Sequence, residues 1–173
     1  MHAEIHEREV TRRAFMSWAI VAIGGFITVV VGVPILGLVI LPALRPTKAN
    51  EVNAGPTRAF PTGTPTAATV TITTSDGWVQ SKQDKGVWVV KKSETDFTVF
   101  SGRCTHLGCA YSWVAAQNQF ICPCHGGHYS IAGVVLAGPP PRPLDTLNWR
   151  IDQGNLIVQY EEFRLGIPQK EVA

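Results

Sequence analysis

The sequence predicts a predominantly β head carried on one membrane-spanning helix. Three observations carry that reading: a long stretch near the start without a charge, short strand-like runs separated by turns from residue 68 onward, and a knot of cysteine and histidine between those runs. With 173 residues there is room for one ordinary domain plus an appendage, and none for a second catalytic domain. The formal net charge is only +2 and the basic residues are scattered. No Lys/Arg cluster interleaves with aromatics as a phosphate-tracking surface requires, so nucleic acid is excluded as a partner.

From Trp18 to Leu44 the chain runs 27 residues without Asp, Glu, Lys or Arg. At about 1.5 Å per residue, a helix of that length exceeds a hydrocarbon core of roughly 30 Å. Such a segment is far longer than the apolar stretch of a cleaved signal peptide, so it is expected as a retained anchor in the lipid bilayer. Gly24, Gly25, Gly32, Gly37 and Pro34 lie within it; a membrane helix tolerates them, with a kink expected at Pro34. Arg8, Arg12 and Arg13 before the span balance Arg45, Lys48 and Arg58 after it, so charge leaves the orientation open. Within residues 1–17, Thr11-Arg12-Arg13-Ala14-Phe15-Met16 resembles the twin-arginine (Tat) export signal, which implies a cytoplasmic N-terminus and a head outside the bacterial cytoplasmic membrane.

Residues 45–67 carry Pro46, Pro56, Pro61 and Pro65 among Gly, Thr, Ala and Asn, without hydrophobic periodicity. This composition predicts a flexible, partly polyproline-like hinge. Strands are then expected over 68–74, 86–92, 97–102, 147–152 and 155–160, with Asp152-Gln153-Gly154-Asn155 as the hairpin turn between the last two. The head is expected over residues 68–165, followed by a tail over 166–173.

The chemistry lies in two loops, CTHLGC at 104–109 and CPCHGGHY at 122–129, and the residues between them read as a hairpin. All four cysteines fall here, so the cluster marks a site rather than a scattered set of core thiols. Thiolate and imidazole are ligands for soft or borderline metals, which points to iron-sulfur, zinc or copper rather than magnesium or calcium. Spacing alone leaves open a Cys2His2 zinc site, a four-cysteine cluster and a mixed Cys/His cluster.

The two loops resemble the signature boxes of the Rieske family, C-T-H-L-G-C and C-P-C-H-G followed closely by an aromatic, and the similarity extends from about residue 68 to 160. The resemblance implies an all-β Rieske domain of antiparallel sheets with a small cluster-binding β subdomain, and a Rieske-type 2Fe-2S cluster as cofactor. It makes Cys104, His106, Cys122 and His125 the metal ligands and Cys109 and Cys124 a disulfide, a bond that persists outside the cytoplasm. It also implies that the Tyr129 hydroxyl reaches the Cys104 sulfur, and that Gly138-Pro139-Pro140-Pro141-Arg142-Pro143-Leu144 is a third loop covering the cluster. Two ferric ions, two sulfides and two thiolates sum to zero charge, whereas four thiolates would give minus two. That difference accounts for Rieske potentials of roughly −150 to +300 mV against about −400 mV for plant-type ferredoxins.

The family commonly has serine after C-P-C-H-G; this chain has Gly127. A hydroxyl donor to the cluster is therefore missing, which implies a lower potential, and Gly127→Ser is expected to raise it by tens of millivolts. His128 is not in a ligand position and is expected to be solvated or hydrogen-bonded. Trp78, Trp88, Trp113 and Trp149 are expected as core aromatics.

By resemblance, the chain is the iron-sulfur subunit of a quinol-cytochrome c oxidoreductase in a respiratory chain, active only with its partner subunits. His125 or His106 would meet the quinol, with menaquinol favoured. The implied partners are a cytochrome b-type subunit and a c-type cytochrome in a dimeric multisubunit complex. Two other readings compete: the Rieske subunit of an arsenite oxidase-type molybdoenzyme, and a structural zinc-binding module. The long anchor and the CTHLGC wording favour the quinol complex.

Overall fold

The computed structural model describes residues 11–44, 50–76 and 79–173. The chain divides into two units, Met1–Thr47 and Lys48–Ala173.

The first unit contains helix α1, Arg12–Leu44. Thr11 opens it: its hydroxyl accepts from the Ala14 amide at 3.4 Å and its carbonyl from the Phe15 amide at 3.0 Å, the capping role that suits threonine. The helix therefore begins six residues before the expected anchor, and the arginine pair lies in its first turn. The two hydroxyls inside it are satisfied by the helix itself. Ser17 donates to the Arg13 carbonyl at 3.0 Å and Thr28 to the Gly24 carbonyl at 2.8 Å, so neither requires water at membrane depth. Helical structure continues through Pro34. None of the apolar surface from Arg12 to Leu41 is buried, and this helix is long and apolar enough to form a single-pass membrane anchor.

The second unit is built from two antiparallel sheets. Its strands are β1 Asn50–Pro56, β2 Thr66–Asp76, β3 Val79–Lys91, β4 Phe97–Ser101, β5 Ser112–Val114, β6 Gln119–Cys122, β7 Gly127–Ser130, β8 Val135–Ala137, β9 Thr146–Asp152 and β10 Asn155–Tyr160. The larger sheet has the order β1-β10-β9-β4-β3-β2, the smaller β5-β6-β7-β8. The larger sheet curls until its outer strands β1 and β2 touch. The smaller sheet is an excursion of the chain between β4 and β9, and it carries both Cys/His loops.

Alternation along β3 and β4 joins the sheets. Val87, Val89, Phe97 and Val99 face a core lined by Val70, Leu156 and Val158, while Val90 and Phe100 face a second core with Tyr111, Phe120, Tyr129 and Leu144. Successive side chains of a strand point to opposite faces, so the same two strands serve both cores. Trp88 and Trp113 are half-buried against the second core and Trp149 against the first. Trp78 lies outside the described residues.

The expected strands all appear, and the hairpin turn after β9 forms with Gln153 at φ 48° and Gly154 at φ 77°, the left-handed pair that a two-residue turn demands. Two expectations need correction. Residues 50–67 are not a hinge: β1 pairs with β10 from Asn50↔Tyr160 to Pro56↔Asn155, Phe60 is buried in the first core, and β2 begins at Thr66. The remaining residues of the expected hinge, 45–49, lie outside the described residues. Nor are residues 166–173 a free tail. Phe163 bridges to Val172, the Arg164 amide donates to the Glu171 carbonyl at 2.9 Å, and Lys170 donates to the Thr146 carbonyl at 2.7 Å.

One added residue within β1 would turn its inward side chains outward. Insertion of one alanine after Val52 should destabilise the head by about 2 kcal/mol, read as a lower Tm in thermal unfolding. An unchanged Tm would refute the assignment of β1 to the sheet.

Candidate metal centre

The smaller sheet presents the two loops side by side. The first leaves β4 and is closed by a bridge between Arg103 and Ala110 and by the Cys104 amide donating to the Cys109 carbonyl at 2.8 Å. The second is the four-residue turn between β6 and β7, with Cys122 paired to Gly127 at its base. Gly126 turns it at φ 67°, a conformation that glycine adopts without steric cost. Cys109 and Cys124 form a disulfide across the loops, as the family resemblance implied.

The four remaining donors separate by depth. Cys104 and Cys122 are free thiols, each 2% exposed. His106 is half-buried and His125 exposed, their ring centroids 4.8 Å apart. Cys109, Cys122 and Cys124 bring their sulfurs within 4.8 Å of one another, but the disulfide consumes two of these, leaving Cys122 as the ligand-capable thiol of the three. Two buried thiols and two adjacent imidazoles, one of each pair on each loop, suit a cluster with one sulfur-bound and one nitrogen-bound iron. Burial pushes the Cys122 thiol above its ordinary value, so a positively charged metal is what would favour its thiolate.

A chain of hydroxyls underlies Cys104. Tyr129 Oη lies 3.1 Å from Cys104 Sγ and 3.1 Å from Thr105 Oγ1, and Thr105 donates to the Arg142 carbonyl at 2.8 Å. Each hydroxyl has one proton. While Cys104 is a thiol, donation runs from sulfur to tyrosine to threonine to carbonyl. Once Cys104 is a thiolate, the tyrosine proton turns to the sulfur. Burial, followed by the hydrogen bond to Cys104, raises the Tyr129 phenol well above its ordinary value, so it remains a donor across the physiological range.

The third loop is pinned by Arg142, which sequence reading passed over as one residue of a proline-rich turn. Its guanidinium is buried, grips Asp145 with Nε at 2.9 Å and Nη2 at 2.7 Å, and donates to the carbonyls of Ile167 at 2.6 Å and Arg164 at 2.7 Å. The hydrogen bonds to Asp145 raise its basicity further. Thr105 and Asp145 were likewise missed. An Arg and an Asp three residues apart in a loop of otherwise apolar residues was the available signal. His128, by contrast, behaves as expected, its Nδ1 2.9 Å from Gln119 Oε1.

Gly127 has a steric role that the sequence did not reveal. Pro140 of the third loop is buried, and a Cβ on Gly127 would stand 2.9 Å from Pro140 Cγ. The space a serine side chain would use is occupied by a rigid ring. The expectation that Gly127→Ser simply adds a hydroxyl is therefore corrected: the substitution must also displace the third loop.

The profile of the Rieske [2Fe-2S] domain matches residues 51–148. Over 155 residues the chain is 31% identical to the menaquinol:cytochrome c reductase iron-sulfur subunit of Geobacillus thermodenitrificans, covering 87% of this chain and 92% of that protein. It is 33% identical over 147 residues to the cytochrome b6-f complex iron-sulfur subunit of Chlorobaculum thiosulfatiphilum, covering 85% and 74%. The Bacillus subtilis menaquinol:cytochrome c reductase iron-sulfur subunit is 28% identical over 154 residues, covering 87% and 92%. The family match sets aside the zinc module. Because it takes in both loops and the strands that present them, the chain belongs to the Rieske [2Fe-2S] family.

Proposed function

We propose that this chain is the iron-sulfur subunit of a bc- or b6f-type complex, taking one electron from a membrane quinol and passing it to a c-type cytochrome. The observation that carries this reading is the difference in exposure of the donors, with two adjacent imidazoles less buried than the two thiols of the same loops, in a chain with a membrane-length helix. The names of its relatives support the same reaction class. Cys104 and Cys122 would hold the inner iron, and His106 and His125 the outer one. When bound, the 2Fe-2S cluster supplies one-electron chemistry near the potential of a quinol.

The chain's own residues supply the rest. His125, the more exposed imidazole, is placed to accept a hydrogen bond from a quinol hydroxyl and to take its proton, with His106 beside it. Tyr129 donates to the Cys104 sulfur, the disulfide holds the two loops in one register, and the third loop keeps water from the sulfur side. The Tat-like motif supports a head outside the bacterial cytoplasmic membrane. Gly127 and the two menaquinol-named relatives support menaquinol as donor, and complexes of this class support a dimeric assembly with a cytochrome b-type subunit. Purification of the complex from membranes tests the whole reading. A Rieske EPR signal reduced by menaquinol, copurifying with a b-type cytochrome, is expected; isolation without any cytochrome b would overturn it.

Alanine at Cys104, His106, Cys122 or His125 should abolish the EPR signal, because each fills one of four protein ligand positions. Serine at Cys109 or Cys124 should leave the signal present but short-lived, since the disulfide supports the loops without binding iron. Identical total loss at all six positions would contradict that division.

Tyr129→Phe removes a donor to a sulfur that becomes more negative on reduction, so the reduced form loses more. One hydrogen bond of about 1 kcal/mol corresponds to a lowering on the order of 40 mV for a one-electron couple. A redox titration followed by circular dichroism would read the shift, and an unchanged potential would exclude Tyr129 as a donor.

For Gly127, the informative comparison is Pro140→Ala against the pair Gly127→Ser with Pro140→Ala. The pair should titrate higher by on the order of 40 mV. Gly127→Ser alone should gain less, with the third loop displaced. A full gain in the single variant would show that Pro140 presents no obstacle.

A further inference from the structure

The segment from Glu161 to Ala173 lies beyond the residues that the family profile matches, and it folds back onto the first loop. The Gly166 amide donates to the carbonyl of Thr105 at 3.0 Å, the residue between Cys104 and His106. Gly166 sits at φ 73°, and a Cβ there would reach 3.4 Å from the His106 carbonyl. At the far side of the loop, Leu165 occupies the space above Gly108, where an added Cβ would come within 2.7 Å of Leu165 Cδ1. Arg142 holds the same four residues from behind by donating to the carbonyls of Arg164 and Ile167, while its own carbonyl accepts from Thr105. The segment is anchored at both ends: Phe163 is buried in the first core, and the Ala173 amide donates to the Glu162 carbonyl at 2.9 Å.

We propose that residues Arg164 to Ile167 are a strap that positions the first loop and, through it, His106. The proposal rests on the reading of His106 as a ligand. Without the Gly166 amide, the peptide between Thr105 and His106 keeps only the side-chain bonds of Thr105 to fix its plane, and the loop loses the apolar cover of Leu165. The turn of the second loop, residues 123–126, is exposed and has no contact of this kind with the segment. The two histidines therefore depend on different supports, and loss of the strap should affect one of them selectively.

The test compares the full chain, in detergent, with a chain ending at Phe163 and with Leu165→Ala. Amide hydrogen exchange and the histidine nitrogen couplings in pulsed EPR of the reduced protein are the two readouts. In the shortened chain, amides 105–109 should exchange about tenfold faster while amides 124–130 keep their rates, and one of two histidine couplings should move while the other stays. Leu165→Ala should give the same pattern at smaller amplitude, and it decides the matter if the shortened chain does not fold. Equal acceleration in both loops, no acceleration in either, or couplings that move together would overturn the strap. A full chain whose signal shows no histidine nitrogen would instead remove the ligand reading beneath it, and loop-selective exchange would separate the two failures.

Discussion

A single buried hydroxyl ties the site together. Thr105 is fully buried, and its Oγ1 meets Tyr129 from the second loop's strand and the Arg142 carbonyl from the third loop. Three chain segments far apart in sequence thus converge on one atom. A hydroxyl placed there has no water to turn to, so an unpaired partner would carry the desolvation cost of about 1–3 kcal/mol. The three loops are consequently joined at their base, where Cys104 and Tyr129 lie, while the exposed turn of the second loop stands outside this network.

The larger sheet provides the platform. Because β3 and β4 present alternate side chains to two cores, the small sheet is packed against strands that are themselves held from the other side. Edge-to-face contacts of Phe120 with Trp88, Tyr111 and Trp113, at centroid distances of 5.3, 5.4 and 4.9 Å, fill the space between. Tyr111 extends this packing into hydrogen bonding by donating to the Ser101 carbonyl at 2.7 Å. Rigid aromatic packing beneath and a satisfied polar network above suit a redox site, where geometry should change little between oxidation states.

Arg142 shows how a charge can be buried usefully. Removing a guanidinium from water costs several kcal/mol, and here the bidentate pair with Asp145 and two backbone carbonyls offset that cost. Fork geometry is what lets one side chain serve a carboxylate and two strap carbonyls together, which a lysine could not do. The third loop, rich in proline and poor in donors, acquires its charged anchor in this way.

Local pattern made much of this molecule legible. The charge-free run required a long apolar helix, alternation in 86–92 and 97–102 required strands, and the paired Cys/His boxes marked a soft-metal site, because each of those signals lies within a few residues of chain. What escaped were contacts between distant segments. The prolines among small and polar residues over 45–67, without hydrophobic periodicity, predict a hinge; only pairing with β10, about a hundred residues later, makes Asn50–Pro56 a strand. The last residues look like a tail because nothing local shows that Gly166 meets Thr105. Local sequence shows Gly127 only as a missing hydroxyl, while the packing of Pro140 against it depends on how the third loop closes. Composition and spacing thus determined the apolar helix, the strand content and the two loops in which a metal site would lie. The tertiary structure alone decided which polar groups were buried and what they met, since burial and hydrogen-bond partners are properties of the closed fold rather than of any stretch of sequence.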